Sequence, residues 1–166
     1  FNGQVFEKEV LKKYIDLIED IPTGVNTWMK EYPDIVESSD NLAIVTTEEK
    51  NIRIAISMRS SEPEVLEKIK ENMAATAQKY GADYEFSANY PEWRYRPVST
   101  LRDKAVEVWK ELTGEEMKVE VIHAGLECGA IYHNYPDIDF ISLGPDMQNV
   151  HTPEEKLDIA STEKIY

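Results

Sequence analysis

Cysteine is all but missing. Cys128 is the one thiol in 166 residues, which excludes an intrachain disulfide and any zinc knuckle built from several cysteines. A reducing compartment is the simplest home for such a chain, so a cytoplasmic location is expected. Cations are scarce: Lys plus Arg number 18 against 32 Asp plus Glu, a formal net charge of −14. That balance argues against nonspecific nucleic-acid binding, which needs cations to displace phosphate counterions, and against a polybasic membrane contact. Apolar runs are only a few residues long, too short to span a bilayer. No signal-peptide segment opens the chain, and Phe1 stands where an initiator methionine would. Residues 161–166 read as the start of a helix with nothing after it. The expectation from both ends is a processed chain or, as the favoured alternative, a piece of a longer protein. What is present, 42% hydrophobic and 30% charged residues, is an ordinary globular balance at about the size of one domain.

Periodicity divides the chain into two stretches. Over 5–21, Val10, Tyr14, Leu17, Ile18 and Ile21 recur at helical spacing and Pro22 ends the run. A loop holding Pro22, Thr23 and Gly24 is expected next. The β-rich run 42–46, a polar turn at 47–50 and the strict alternation of Ile52, Ile54, Ile56 and Met58 predict an antiparallel hairpin. Ser61 and Glu64 have capping-box spacing, with Pro63 in the first turn of a helix that Gly81 stops. Tyr84, Phe86 and Ala88 alternate as a further strand. The order α-β-β-α-β is a ferredoxin-like sandwich without its first strand. Residues 89–98, with two prolines and no periodicity, read as a crossing between domains. Beyond it a helix runs from Leu101 to its stop at Gly114, a strand covers 119–122, a short helix covers 125–131 and a strand covers 140–143. This βα alternation suits an α/β sheet with function at the strand ends. The fold class is α/β overall: an α+β portion over 1–90, then an α/β portion over 91–166.

Several residues could carry chemistry, each with a plainer alternative. His151 lies in a loop beyond a predicted strand, beside Glu154 and Glu155. An imidazole there is either a metal ligand oriented by a carboxylate or a solvated loop residue. Gly125 and Gly129 would let backbone approach a ligand closely. Between them, Glu127 either binds a ligand or serves as a first-turn helix carboxylate. Arg59 and Asn41 fall near the same end of the hairpin, where a guanidinium fork and an amide could grip a carboxylate; a surface arginine is the alternative. Cys128 has no partner base in view and reads as a small buried residue. Tyr90, Trp93 and Tyr95, interleaved with arginines, suit interdomain packing better than base stacking in so acidic a chain.

Taken together, Ile122-His-Ala-Gly-Leu-Glu-Cys-Gly129, Tyr135-Pro-Asp-Ile-Asp139 and Gly144-Pro145 followed by His151-Thr-Pro-Glu-Glu155 closely resemble the C-terminal part of the aminoacylhistidine dipeptidases. These are the carnosinase-like Xaa-His dipeptidases of the M20 metallopeptidase family. Pro22-Thr-Gly-Val25, Glu37-Ser-Ser-Asp-Asn41, Arg59 and Tyr90-Pro-Glu-Trp93 resemble that family too, in the same order. The resemblance implies that 1–90 is the later part of a lid or dimerisation domain, ferredoxin-like and lacking its first strand. It implies that 91–166 is the C-terminal part of the zinc-peptidase α/β domain. It implies His151 as a metal ligand, and Asn41, Arg59, Gly125 and Glu127 as substrate-binding positions. The cofactor implied is zinc, two ions in the full-length protein, with other divalent metals open. The general base, the remaining ligands and every other catalytic residue would lie upstream, outside this chain, so the piece alone is expected to be inactive. The implied partner is a small peptide substrate, with a homodimer through the lid left open and neither nucleic acid nor membrane involved. The alternative from the residues alone is a noncatalytic ferredoxin-like dimerisation or small-ligand-binding domain.

Overall fold

The computed structural model describes residues 5–87 and 90–166. They form a mixed α/β chain in two compact units, residues 5–96 with 118–125 and residues 97–117 with 126–166. No helix among the described residues is long and apolar enough to cross a membrane.

In the first unit, α1 (Lys8–Asp20) is followed by β1 (Gly24–Trp28), β2 (Val36–Thr47), β3 (Ile52–Ser60) and α2 (Pro63–Tyr80). The sheet order is β1-β2-β3, antiparallel throughout. The predicted hairpin is present, closed by Glu48 N–H on the Asn51 carbonyl at 2.9 Å. Its register shifts between Leu42 and Ile44, leaving Ala43 as the extra residue of a bulge. β3 alternates as its sequence does: Ile52, Ile54, Ile56 and Met58 are half-buried, while Arg53, Ala55, Ser57 and Arg59 are exposed. α2 packs on β3, and α1 packs on α2. Ile69 and Met73 of α2 are buried with Ile21 and Met29, each such side chain contributing about 1.5–3 kcal/mol by leaving water. Gly81 stops α2 in the left-handed conformation, at φ 67°, which costs glycine nothing.

Three local expectations fail here. Residues 24–28 form a strand where a loop is predicted, because β2 runs longer than its apolar stretch and offers Val36–Asp40 as a pairing edge. The capping box does not form: Glu62 is the N-cap, with no side-chain cap bond. The Ser61 hydroxyl turns instead to the Glu37 carboxylate. Residues 82–87 carry no ladder bonds; the Ala88 end of that predicted strand lies outside the described residues.

The second unit holds α3 (Thr100–Thr113), α4 (Glu127–Asn134), the two-residue pair β4 (Met147–Gln148) and β5 (Lys156–Leu157), and α5 (Ile159–Ile165). Ser99 caps α3 by accepting from Arg102 N–H at 3.0 Å, and its hydroxyl donates to Asp139 at 2.9 Å. Asp139 also accepts from Leu101 N–H at 3.0 Å, placing a carboxylate at the positive end of the helix. The predicted strands at 119–122 and 140–143 carry no ladder bonds. Their β-rich residues have no strand beside them among the described residues, and side-chain preference without a neighbour does not make a sheet.

Candidate functional site

Antiparallel pairing sets the first unit's polar groups on two faces of the β2–β3 ladder. Ser38 faces Ser60 and Asp40 faces Met58, on the half-buried side; Ser39 faces Arg59 and Asn41 faces Ser57, on the exposed side. Asn41 and Arg59 are therefore diagonal neighbours on one face, close enough for long side chains to share a ligand. Among the described residues Arg59 has no carboxylate partner.

The exposed face also receives a group from far along the chain. His123 Nε2 lies 2.7 Å from Ser39 Oγ, across 84 residues of sequence. Burial lowers the His123 pKa first and the nearby Arg59 charge lowers it further, against a smaller opposing pull from Glu37. Both effects favour the neutral imidazole. Two residues on, a Cβ at Gly125 would lie 3.0 Å from Cδ1 and Cε1 of the Tyr90 ring. The close approach that Gly125 permits in this structure is by Tyr90.

On the half-buried side the Glu37 carboxylate, 7% exposed, is bonded by the hydroxyls of Thr27 and Ser60, with Ser38 bonded to Thr27. Burial pushes its pKa up, yet the bonds from Ser60, Thr27 and Ser38 and from the Glu62 backbone outweigh burial and leave it below the ordinary value. Asp40, 4% exposed, takes a bond from the Asn26 amide at 2.9 Å on one oxygen and has none on the other. Burial raises its pKa, and the Asn26 bond only partly offsets that.

The remaining sequence-predicted residues lie in the second unit. Glu127 is the exposed first residue of α4, and Cys128 is half-buried with Sγ 3.9 Å from the Ile141 carbonyl. His151 is exposed in the β4–β5 connection, not directly beyond a strand at 140–143. It holds φ 66°, with Asn149 at 53°, a conformation uncommon for residues other than glycine. Glu155 bonds the His151 backbone N–H at 2.8 Å, so this carboxylate shapes the turn. Among the described residues no three His, Cys, Asp or Glu side chains come together as a metal site.

No family model matches the chain. In sequence it is 29% identical over 148 residues to the cytosol non-specific dipeptidase of Escherichia coli (strain K12), spanning 89% of this chain and 30% of that protein. In structure it matches the crystal structure of the aminoacylhistidine dipeptidase from Vibrio alginolyticus with a TM-score of 0.82 and 29% identity, over 99% of this chain and 34% of that one. The resemblance to the aminoacylhistidine dipeptidases holds in both sequence and fold. The chain spans about a third of the length of each dipeptidase relative. Two features of the site escaped the sequence reading. The Ser39–His123 contact joins residues too distant for any spacing rule. The hydroxyl ring around Glu37 depends on β1, which the sequence hides in a Pro-Thr-Gly stretch.

Proposed function

We propose that this chain is the later lid portion, residues 1–90, and the C-terminal catalytic portion, residues 91–166, of a cytoplasmic M20-type dipeptidase that hydrolyses Xaa-His and related dipeptides. The likeness to a dipeptidase over 99% of the chain, at one third of that protein's length, carries the reading. The lid's part is the grip: Arg59 presents its planar fork, and Asn41 its amide, to the carboxylate of a small peptide. Gly125 and Glu127 border the substrate, and the lid offers a homodimer contact.

The residues present do not suffice for the zinc centre that the resemblance implies. His151 supplies one imidazole, whereas a zinc site takes three or more protein ligands, and no cluster among the described residues supplies the rest. This chain by itself supplies no complete zinc site. Its activity then depends on upstream residues, and the 166-residue chain alone is inactive.

The test is a comparison of the full-length parent with residues 1–166 on carnosine and other Xaa-His dipeptides with added zinc. Turnover by the parent and none by the chain is expected. Arg59→Ala in the parent should lower kcat/KM about tenfold or more, since a hydrogen bond to a charged group contributes roughly 1.5–3 kcal/mol. Arg59→Lys should rescue poorly for want of the fork. An inactive parent, or chelator-sensitive turnover by the chain alone, overturns the reading.

A further inference from the structure

We propose that His123 is a carboxylate-binding residue, held by Ser39 so that its imidazole closes one side of a receptor whose other sides are Arg59 and Asn41. Which carboxylate it takes, the free C-terminus of a dipeptide, rests on the dipeptidase reading above.

The ladder supplies the geometry. Ser39 and Arg59 are direct partners on the exposed face, and Asn41 is the next residue along β2 on that face. The 2.7 Å contact from Ser39 Oγ to His123 Nε2 fixes the ring beside this row. The groups acting on His123 are Ser39 and Glu37 from β2 and Arg59 from β3. Glu37 spends its hydrogen bonds on the hydroxyls of Thr27 and Ser60, and its pull on His123 is smaller than that of Arg59. Among the described residues Arg59 has no carboxylate within ion-pair distance, and beside it stands an imidazole whose protonation is disfavoured. With the Ser39 O–H donating to Nε2, the ring must carry its proton on Nδ1, which makes Nδ1 a donor. Guanidinium fork, Asn41 amide and Nδ1–H together give a carboxylate donors on both oxygens. An anion seated there also cancels the Arg59 charge that disfavours protonation of the ring, so binding should draw His123 toward its charged form.

A purely structural latch to Ser39 would not distinguish a free carboxylate from its amide, and the test uses that difference. In the full-length parent, KM and kcat are measured on a dipeptide and on its C-terminal amide for wild type, His123→Ala and His123→Gln, with thermal melting alongside. The expected result is a KM about tenfold higher for the free dipeptide with His123→Ala, kcat within about twofold, partial recovery with His123→Gln through its amide N–H, and little change on the amide substrate. An equal change on both substrates, or none, overturns the inference while leaving the dipeptidase reading intact. Should the parent hydrolyse no dipeptide, that reading fails, and titration of the histidine-15N-labelled parent with N-acetylglycine against N-acetylglycinamide decides this one. A His123 shift with the acid alone, lost in Arg59→Ala, supports it; the absence of such a shift overturns it.

Discussion

Two residues separate Glu37 from Asp40 on β2, and both carboxyls are buried, yet their pKa values move in opposite directions. The difference is the number of donors each receives. Glu37 has a ring of hydroxyls; Asp40 has one amide and a bare oxygen. Because the folded pKa of Glu37 lies below its ordinary 4.5, the unfolded chain binds its proton more tightly. Its contribution to stability is present above that value and is lost as pH falls through the folded pKa. Asp40 has a folded pKa above its ordinary 3.8, so its contribution is full below that value and is lost as pH rises through the folded pKa. Urea unfolding at pH 3 and pH 7 reads both signs. Glu37→Gln should cost about 1.5–3 kcal/mol at pH 7 and much less at pH 3. Asp40→Asn should gain stability at pH 7 relative to pH 3, because it removes a buried charge with an unmatched oxygen. A pH-independent effect of Glu37→Gln would mean that its hydroxyl ring acts by packing and not through the charge.

At the scale of elements, helices and the hairpin follow from short-range rules, while the remaining strands do not. α2 carries Pro63 in its first turn and Gly81 at its end, and β3 alternates strictly, so both are legible. Residues 119–122 and 140–143 have the same β-rich composition and form no ladder, since a strand is a property of two segments and neither has a partner strand among the described residues. The candidate site divides the same way. Arg59 and Asn41 are found by counting along a hairpin; His123 and Ser39 meet only through the tertiary fold. α3 shows what a local signal is worth. Ser99, 3% exposed, accepts from Arg102 N–H and donates to Asp139. Ser99→Ala should destabilise the helix start by about 1–2 kcal/mol, read as roughly tenfold faster amide exchange at Arg102, with Ser99→Thr close to wild type. Unchanged exchange would show that Asp139, through Leu101 N–H, holds the helix start without the serine.

Across the whole molecule the two units differ in how they are sealed. The buried apolar side chains Ile21, Met29, Ile69 and Met73 all belong to the first unit, and none among the described residues belongs to the second. The second unit has no such buried set and exposes Leu112 at 79%, Ile159 at 76% and Tyr135 at 58%, with Leu143, Met147 and Leu157 about half exposed; the first unit, beside its buried set, also exposes Ile44 and Trp28. Monomeric proteins rarely leave so much large apolar surface in water without a partner for it, and the proposed reading supplies one in the upstream part of the catalytic domain. Two forces then compete in the 166-residue chain. Burying each such side chain gains about 1.5–3 kcal/mol and favours association between copies; a net charge of −14 opposes it by repulsion. Salt tips the balance, because the screening length falls from about 10 Å at 0.1 M to about 3 Å at 1 M. Light scattering on the chain should therefore show larger species at 1 M than at 0.1 M NaCl. A hydrophobic dye should bind at low salt, and the full-length parent should show neither behaviour. A chain that stays monomeric and dark to the dye at both salt concentrations would mean that its second unit closes its own surface in solution and needs no partner surface to cover it.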